Sequence, residues 1–183
     1  MDTKKESGSK PPLLSSRQIG IAASLGGLGF AWRALGLSIP LPIPMLMADI
    51  RPILKDFGGA IGGPWVAMII CILGALPTPF PPLVVVGDFP ARLLFAFIWK
   101  NLGAHKLPWK TKWLAISFAH ITAEFIFITI LIYGNSLLGL YPFWPTYVAL
   151  MTGVFLPVTI IDDVILIIAM RGAKLGVPTW RWF

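Results

Sequence analysis

A single cysteine and two histidines are all that the sequence offers to thiol or soft-metal chemistry. Cys71 lies inside an apolar run, so no intrachain disulfide and no thiolate metal cluster can form. With His105 in a basic loop and only His120 inside an apolar segment, a bis-histidine haem within a membrane is excluded as well. No HExxH, G-x-S-x-G or Walker A pattern occurs, so the sequence points away from an enzyme, and no cofactor or metal is expected. Charge is the next shortage: 13% of residues are Asp, Glu, Lys or Arg, against about 25% in soluble proteins.

What fills the space is apolar. Of 183 residues, 56% are hydrophobic, and their runs are separated by clusters of Pro, Gly, Lys and Arg. This pattern predicts an all-α integral membrane protein with several spans in one membrane domain, its first partner being the lipid bilayer. The net charge of +7 does not point to nucleic acid, because the basic residues stand at the ends of apolar runs and form no patch with interleaved aromatics.

Residues 1–18 are polar and rich in Lys and Ser, which predicts a loose cytoplasmic tail. The apolar run 19–37 lacks a small-x-small cleavage site and is long, so it reads as a retained first span and not as a signal peptide. Ala23, Gly27 and Ala31 recur every four residues on it and share one face, suited either to tight packing within the chain or to docking on a partner subunit. A proline-rich, uncharged segment 38–47 follows, then a helix over 49–60, a Gly62-Gly63-Pro64 turn and a helix over 64–76. Further spans are expected over 83–102, 113–133 and 146–170.

Positive charge sets the span count. The N-terminal tail, the loop Lys100 to Lys112 and the C-terminal residues 172–183 are basic, whereas 38–47, 77–82 and 134–145 contain no Lys or Arg. The positive-inside rule places the first set in the cytoplasm and the second outside. Parity then requires 49–76 to be two short spans, giving six spans over 19–171 with a broken, short second and third pair and both termini cytoplasmic, in the cell membrane. Arg51 and Lys55 break this rule near the outer face, so pairing or ligand contact must account for them.

Six of the eight acidic residues fall in or beside spans. Asp88 and Arg92 are spaced i, i+4, as are His120 and Glu124, so each pair shares a helix face. Two outcomes are open. The groups can form a satisfied structural network, Asp88 with Arg92 and His120 with Glu124, Asp162 or Asp163. Alternatively, Asp88, Glu124 and His120 line a ligand cavity that favours a cationic or donor-rich ligand. Phe80, Tyr141, Phe143 and Trp144, in or beside proline-bearing loops, suit either an aromatic lid or an interfacial belt.

The small-residue face of the first span, the proline-rich first external loop, Arg51-Pro52, the Gly62-Gly63-Pro64 turn and the loop before Asp88 together resemble the substrate-binding S components of energy-coupling factor (ECF) transporters. The resemblance implies six spans and capture of a small, vitamin-like molecule from outside. It also implies docking through Ala23-x-x-x-Gly27 onto a transmembrane coupling subunit, with ATP hydrolysis left to separate ATPase subunits. Carried onto this chain, it makes Asp49, Asp88, Glu124, Asn135 and Trp144 candidate ligand contacts with His120 and Arg92 beneath, and sets Asp162 and Asp163 aside as too deep. Arg51, the exception to the charge rule, joins the candidates. The alternatives are a structural subunit whose charges pair across subunits, and an ion-coupled carrier with Asp88, Glu124 and Asp163 as a relay.

Overall fold

The structure is a computed structural model and describes residues 14–40, 47–175 and 178–180. Most of the expected N-terminal tail, the middle of the proline-rich segment and the final residues, Arg181 included, lie outside the described residues.

The first helix, α1 (Ser16–Ala34), starts on a capping box in which Gln18 N donates to Ser15 Oγ and Ser15 N donates to the Gln18 side chain at 2.9 Å. The helix thus begins ahead of the tail boundary at residue 18. A two-residue antiparallel pair, Ile39 with Ala48 and Pro40 with Met47, closes the loop that follows. Next come α2 (Arg51–Gly62) and α3 (Pro64–Ala75), hinged at Gly63. Gly63 has φ 92° and ψ 179°, a conformation essentially confined to glycine, and a Cβ there would stand 2.8 Å from the Trp180 ring. Pro64 then opens α3, where its missing N–H costs nothing.

There follow α4 (Pro81–Lys100) and α5 (Trp109–Leu137), then α6 (Phe143–Leu150) and α7 (Leu156–Gly172), joined by a π-helical turn at Met151–Phe155. That turn has a local cause. Pro157 brings no N–H, and its ring crowds the carbonyl of Gly153, so a widened turn immediately before it relieves both faults.

Consecutive helices alternate in direction. Gln18 at the start of α1 donates to Gly62 O at the end of α2 at 2.8 Å, while Gly29 near the other end of α1 lies against Arg51 and Gly74. Trp180 Nε1 donates to Ala60 O at 3.1 Å, and Lys100 Nζ donates to Trp180 O, which brings the ends of α2 and α4 together. Gly134 late in α5 meets Leu83 early in α4, and Arg171 lies over the Trp109 ring. One end of the bundle therefore collects Gly62, Lys100, Trp109 and Arg171, and the other Arg33, Thr78 and Asn135.

The main core lies between α2, α4, α5 and α7, with Phe95, Trp99, Ile116, Leu166 and Met170 fully buried. Three helical stretches, Pro81–Lys100, Trp109–Leu137 and Phe143–Gly172 taken through the π turn, are long and apolar enough to cross a membrane. α2 and α3, of 12 residues each, reach only about 18 Å at 1.5 Å per residue. The fold is all-α apart from the one short strand pair among the described residues.

Candidate functional site

The site grows from α2, which the Gly63 hinge folds into the middle of the bundle with eight of its twelve residues buried. Two consecutive residues there, Lys55 and Asp56, face different neighbours. Lys55 pairs with Asp88 of α4 and stands 5.3 Å from the centre of the Phe127 ring. Asp56 accepts from His120 Nδ1 of α5 at 2.6 Å and pairs with Arg92 Nη1 at 2.7 Å. An ionised carboxylate can only accept, so this contact puts the proton on Nδ1 of His120.

Arg92 is the hub. Besides Asp56 it pairs with Asp88 at 3.3 Å, one helical turn away on α4, and with Glu124 of α5. Lys55, Asp56, Asp88, Arg92, His120 and Glu124 are all buried, at 5% exposure or less. Asp56, His120 and Glu124 also offer ligand atoms within 4.8 Å of one another, the spacing of a metal centre. The Arg92 guanidinium pairs with both carboxylates of that trio and supplies the positive charge that an ion would bring.

Above this network lies a cavity of about 120 Å³. Its mouth is formed by Thr78, Pro79 and Phe80 with Arg33, Asp49 and Arg51, its walls by Phe127, Leu131, Val154, Phe155 and Val158 among others, and its lower part by Lys55, Glu124, Thr159 and Asp162. From Asn135 to Glu124, both cavity residues on α5, the helix descends about 16 Å at its usual rise.

The expected site residues divide accordingly. Asp49, Arg51, Glu124 and Asn135 line the cavity. Asp88, Arg92 and His120 do not; they form the paired network behind it. Trp144 is not brought to the cavity. It is 69% exposed and packs its ring edge-on against Phe143 and Tyr147 on α6. The pairing of His120 with Glu124, Asp162 or Asp163 is corrected: His120 bonds Asp56, Glu124 bonds Arg92, and Asp163 accepts from Ser117 Oγ at 2.5 Å. On α1, Ala23 and Gly27 face outward and Ala31 is half-buried, while the helix packs on α3 through the neighbouring Ala22, Gly26 and Gly29.

The two exceptions to the charge rule are explained by pairing. Arg51 Nε donates to Asp49 Oδ2 at 2.6 Å, and its Nη1 donates to Gly74 O, in the last turn of α3, at 2.8 Å. A guanidinium at a helix C-terminus meets both unpaired carbonyls and the negative end of the helix dipole. Lys55 is satisfied by Asp88.

Asp56 and Asp162 are the residues that sequence reasoning passed over. Nothing in the local sequence tells which neighbour Asp56 meets, since that depends on how α2 is folded back at Gly63. Asp162 was set aside by depth counted along straight helices, yet it lines the same cavity as Glu124. It is 8% exposed and has no hydrogen bond or ion pair among the described residues. Two buried cations, Lys55 and Arg92, thus stand against five buried carboxylates, Asp56, Asp88, Glu124, Asp162 and Asp163, a formal balance of −3 with His120 neutral. No protein-family model matches the chain, and no curated protein or solved structure matches it.

Proposed function

We propose that this chain is a six-span membrane protein that captures a small molecule from the external side and passes it to an ATP-driven import module, in the manner of an ECF-type S component. The observation that carries the reading is the cavity itself, set above a network of paired ions and presenting one buried carboxylate, Asp162, with no hydrogen bond or ion pair among the described residues. A purely structural charge cluster gives no reason for that vacancy. The alternation of helix direction, with α6 and α7 taken as one pass, supports counting six passes, and the basic residues at the end that holds Lys100 and Arg171 support a cytoplasmic side there. The outward face at Ala23 and Gly27 leaves a surface on which a coupling-subunit helix can approach closely, and ATPase subunits complete the assembly.

The structural-subunit alternative required charges that pair across subunits, and it is weakened because Arg92 and Lys55 find their partners within the chain. The relay alternative is weakened similarly, since Asp88 and Glu124 are held in ion pairs and Asp163 by Ser117. The test is native mass spectrometry of the protein purified from its host membrane, with uptake assayed in cells carrying or lacking the ATPase partners. A co-purified small molecule whose uptake needs both this chain and ATP hydrolysis is the expected result. Uptake that survives ATPase loss but collapses with the ion gradient rejects the reading.

A further inference from the structure

The chemistry of the cavity narrows what it can hold. Asp162 of α7 lines the cavity as a buried carboxylate without a partner among the described residues, and Thr159, one turn earlier on the same face, also lines it. Another cavity carboxylate, Glu124, is already held by Arg92, and a cation of the same lining, Lys55, is already held by Asp88. Neither neutralises Asp162. Among the described residues, the buried side chains are short of positive charge, with two cations against five carboxylates. A hard inorganic cation would need about six or more oxygen ligands, whereas Phe127, Phe155 and Val158 are among the apolar residues that line the same cavity as Asp162. Those walls suit an apolar body, and aromatic faces also tolerate a cation beside them.

We propose that the cavity is a binding site for a protonated organic amine, its ammonium group taken by Asp162 with Thr159 as a second acceptor and its apolar body packed between Phe127, Phe155 and Val158. This rests on the capture reading above and names its ligand class. The ammonium supplies a positive charge, and its N–H groups supply the hydrogen bonds that Asp162 does not make to the described residues.

The experiment uses the full chain purified in detergent and three probes of matched body: phenethylamine, 2-phenylethanol and 3-phenylpropionate, titrated calorimetrically near pH 7. The amine is expected to bind best. Asp162→Asn is expected to weaken it by at least about 30-fold, as loss of one partner of a buried charge pair does. Asp163→Asn, which removes a carboxylate bonded to Ser117 and outside the cavity lining, is expected to leave the amine's affinity unchanged. Should Asp162→Asn fail to fold, the wild-type chain decides. Phenethylamine is expected to protect Asp162 from modification by a hydrophobic carbodiimide, read by mass spectrometry, and lack of protection overturns the proposal. An alcohol or carboxylate that binds as well as the amine, or an Asp162→Asn chain that keeps its amine affinity, overturns the amine assignment and leaves the capture reading standing. If none of the three binds to the wild-type chain, the amine assignment falls, while the capture reading is decided separately by the co-purified molecule and the ATPase-dependent uptake.

Discussion

At the scale of single residues, the decisive difference among the described residues is between the buried carboxylates that are paired and Asp162, which is not. Arg92 stands between Asp56, Asp88 and Glu124 at 2% exposure, so removing it leaves three buried carboxylates with too few partners. Arg92→Gln is therefore expected to destabilise the fold by roughly 3–5 kcal/mol, measured by unfolding in mixed micelles, because breaking a buried ion pair from one side strands the other charge. A loss below about 1 kcal/mol would show that this guanidinium does not hold the network together. Asp88 belongs to the same class. It is fully buried between Lys55 and Arg92 and does not line the cavity, so Asp88→Asn is expected to lower stability, whereas Glu124→Gln, on the cavity wall, is expected to lower ligand affinity. Asp162 should behave in the opposite way to Arg92. An unpaired carboxylate inside a membrane costs up to about 3 kcal/mol, so Asp162→Asn is expected to raise the melting temperature of the ligand-free protein. A fall in melting temperature would mean that Asp162 has a structural partner.

At the scale of elements, α2 decides what the rest of the bundle encloses. Its reversal at Gly62-Gly63-Pro64 was legible from the sequence because the residues carry the geometry themselves: glycine admits φ 92°, and proline prefers a first helical turn. Helix positions were legible for the same reason, being local. The Ser15 and Gln18 capping box was equally local but lay inside what read as tail. The π turn at Met151–Phe155 was not read, although Gly153 and Pro157, four residues apart, carry its cause. Cross-helix pairing was not legible at all. Helical spacing alone put Asp88 next to Arg92, as found at 3.3 Å, but His120 and Glu124 turn to different partners on α2 and α4. The hinge provides the element-scale test. Gly63→Ala is expected to destabilise by about 1–3 kcal/mol or more, since it places a Cβ in a region essentially closed to it and 2.8 Å from the Trp180 ring. If backbone strain is the larger part, adding Trp180→Ala to relieve the crowding will recover only a minority of that loss in thermal unfolding.

At the scale of the whole molecule, the balance of charge and the direction of the helices have to agree. Three helical stretches can each cross a membrane by length and apolarity, while α1, α2 and α3 take their place from packing on one another and on α4. Short helices of about 18 Å are tolerable in a bilayer core of about 30 Å where their ends are covered by neighbouring protein and not by lipid. Here the Arg51 end of α2 reaches the cavity mouth, and its Gly62 end is covered by Trp180, whose indole N–H donates to Ala60 O. Six passes follow only if α2 and α3 count separately, and one experiment isolates that point. Cys71, the chain's one cysteine, is 1% exposed, so introduced cysteines can be read against a silent background. Leu35, Leu102 and Leu138 are 73%, 67% and 56% exposed, and Ala173 is exposed as well. With Leu35→Cys and Leu138→Cys, a membrane-impermeant maleimide is expected to label intact cells, whereas Leu102→Cys and Ala173→Cys are expected to react only after the membrane is opened. If α2 and α3 formed one broken span, Leu35 and Leu102 would no longer sort to opposite sides as six passes require. Labelling of Leu35→Cys and Leu102→Cys from the same side would therefore overturn the six-span topology, and with it the assignment of the cavity mouth to the external face.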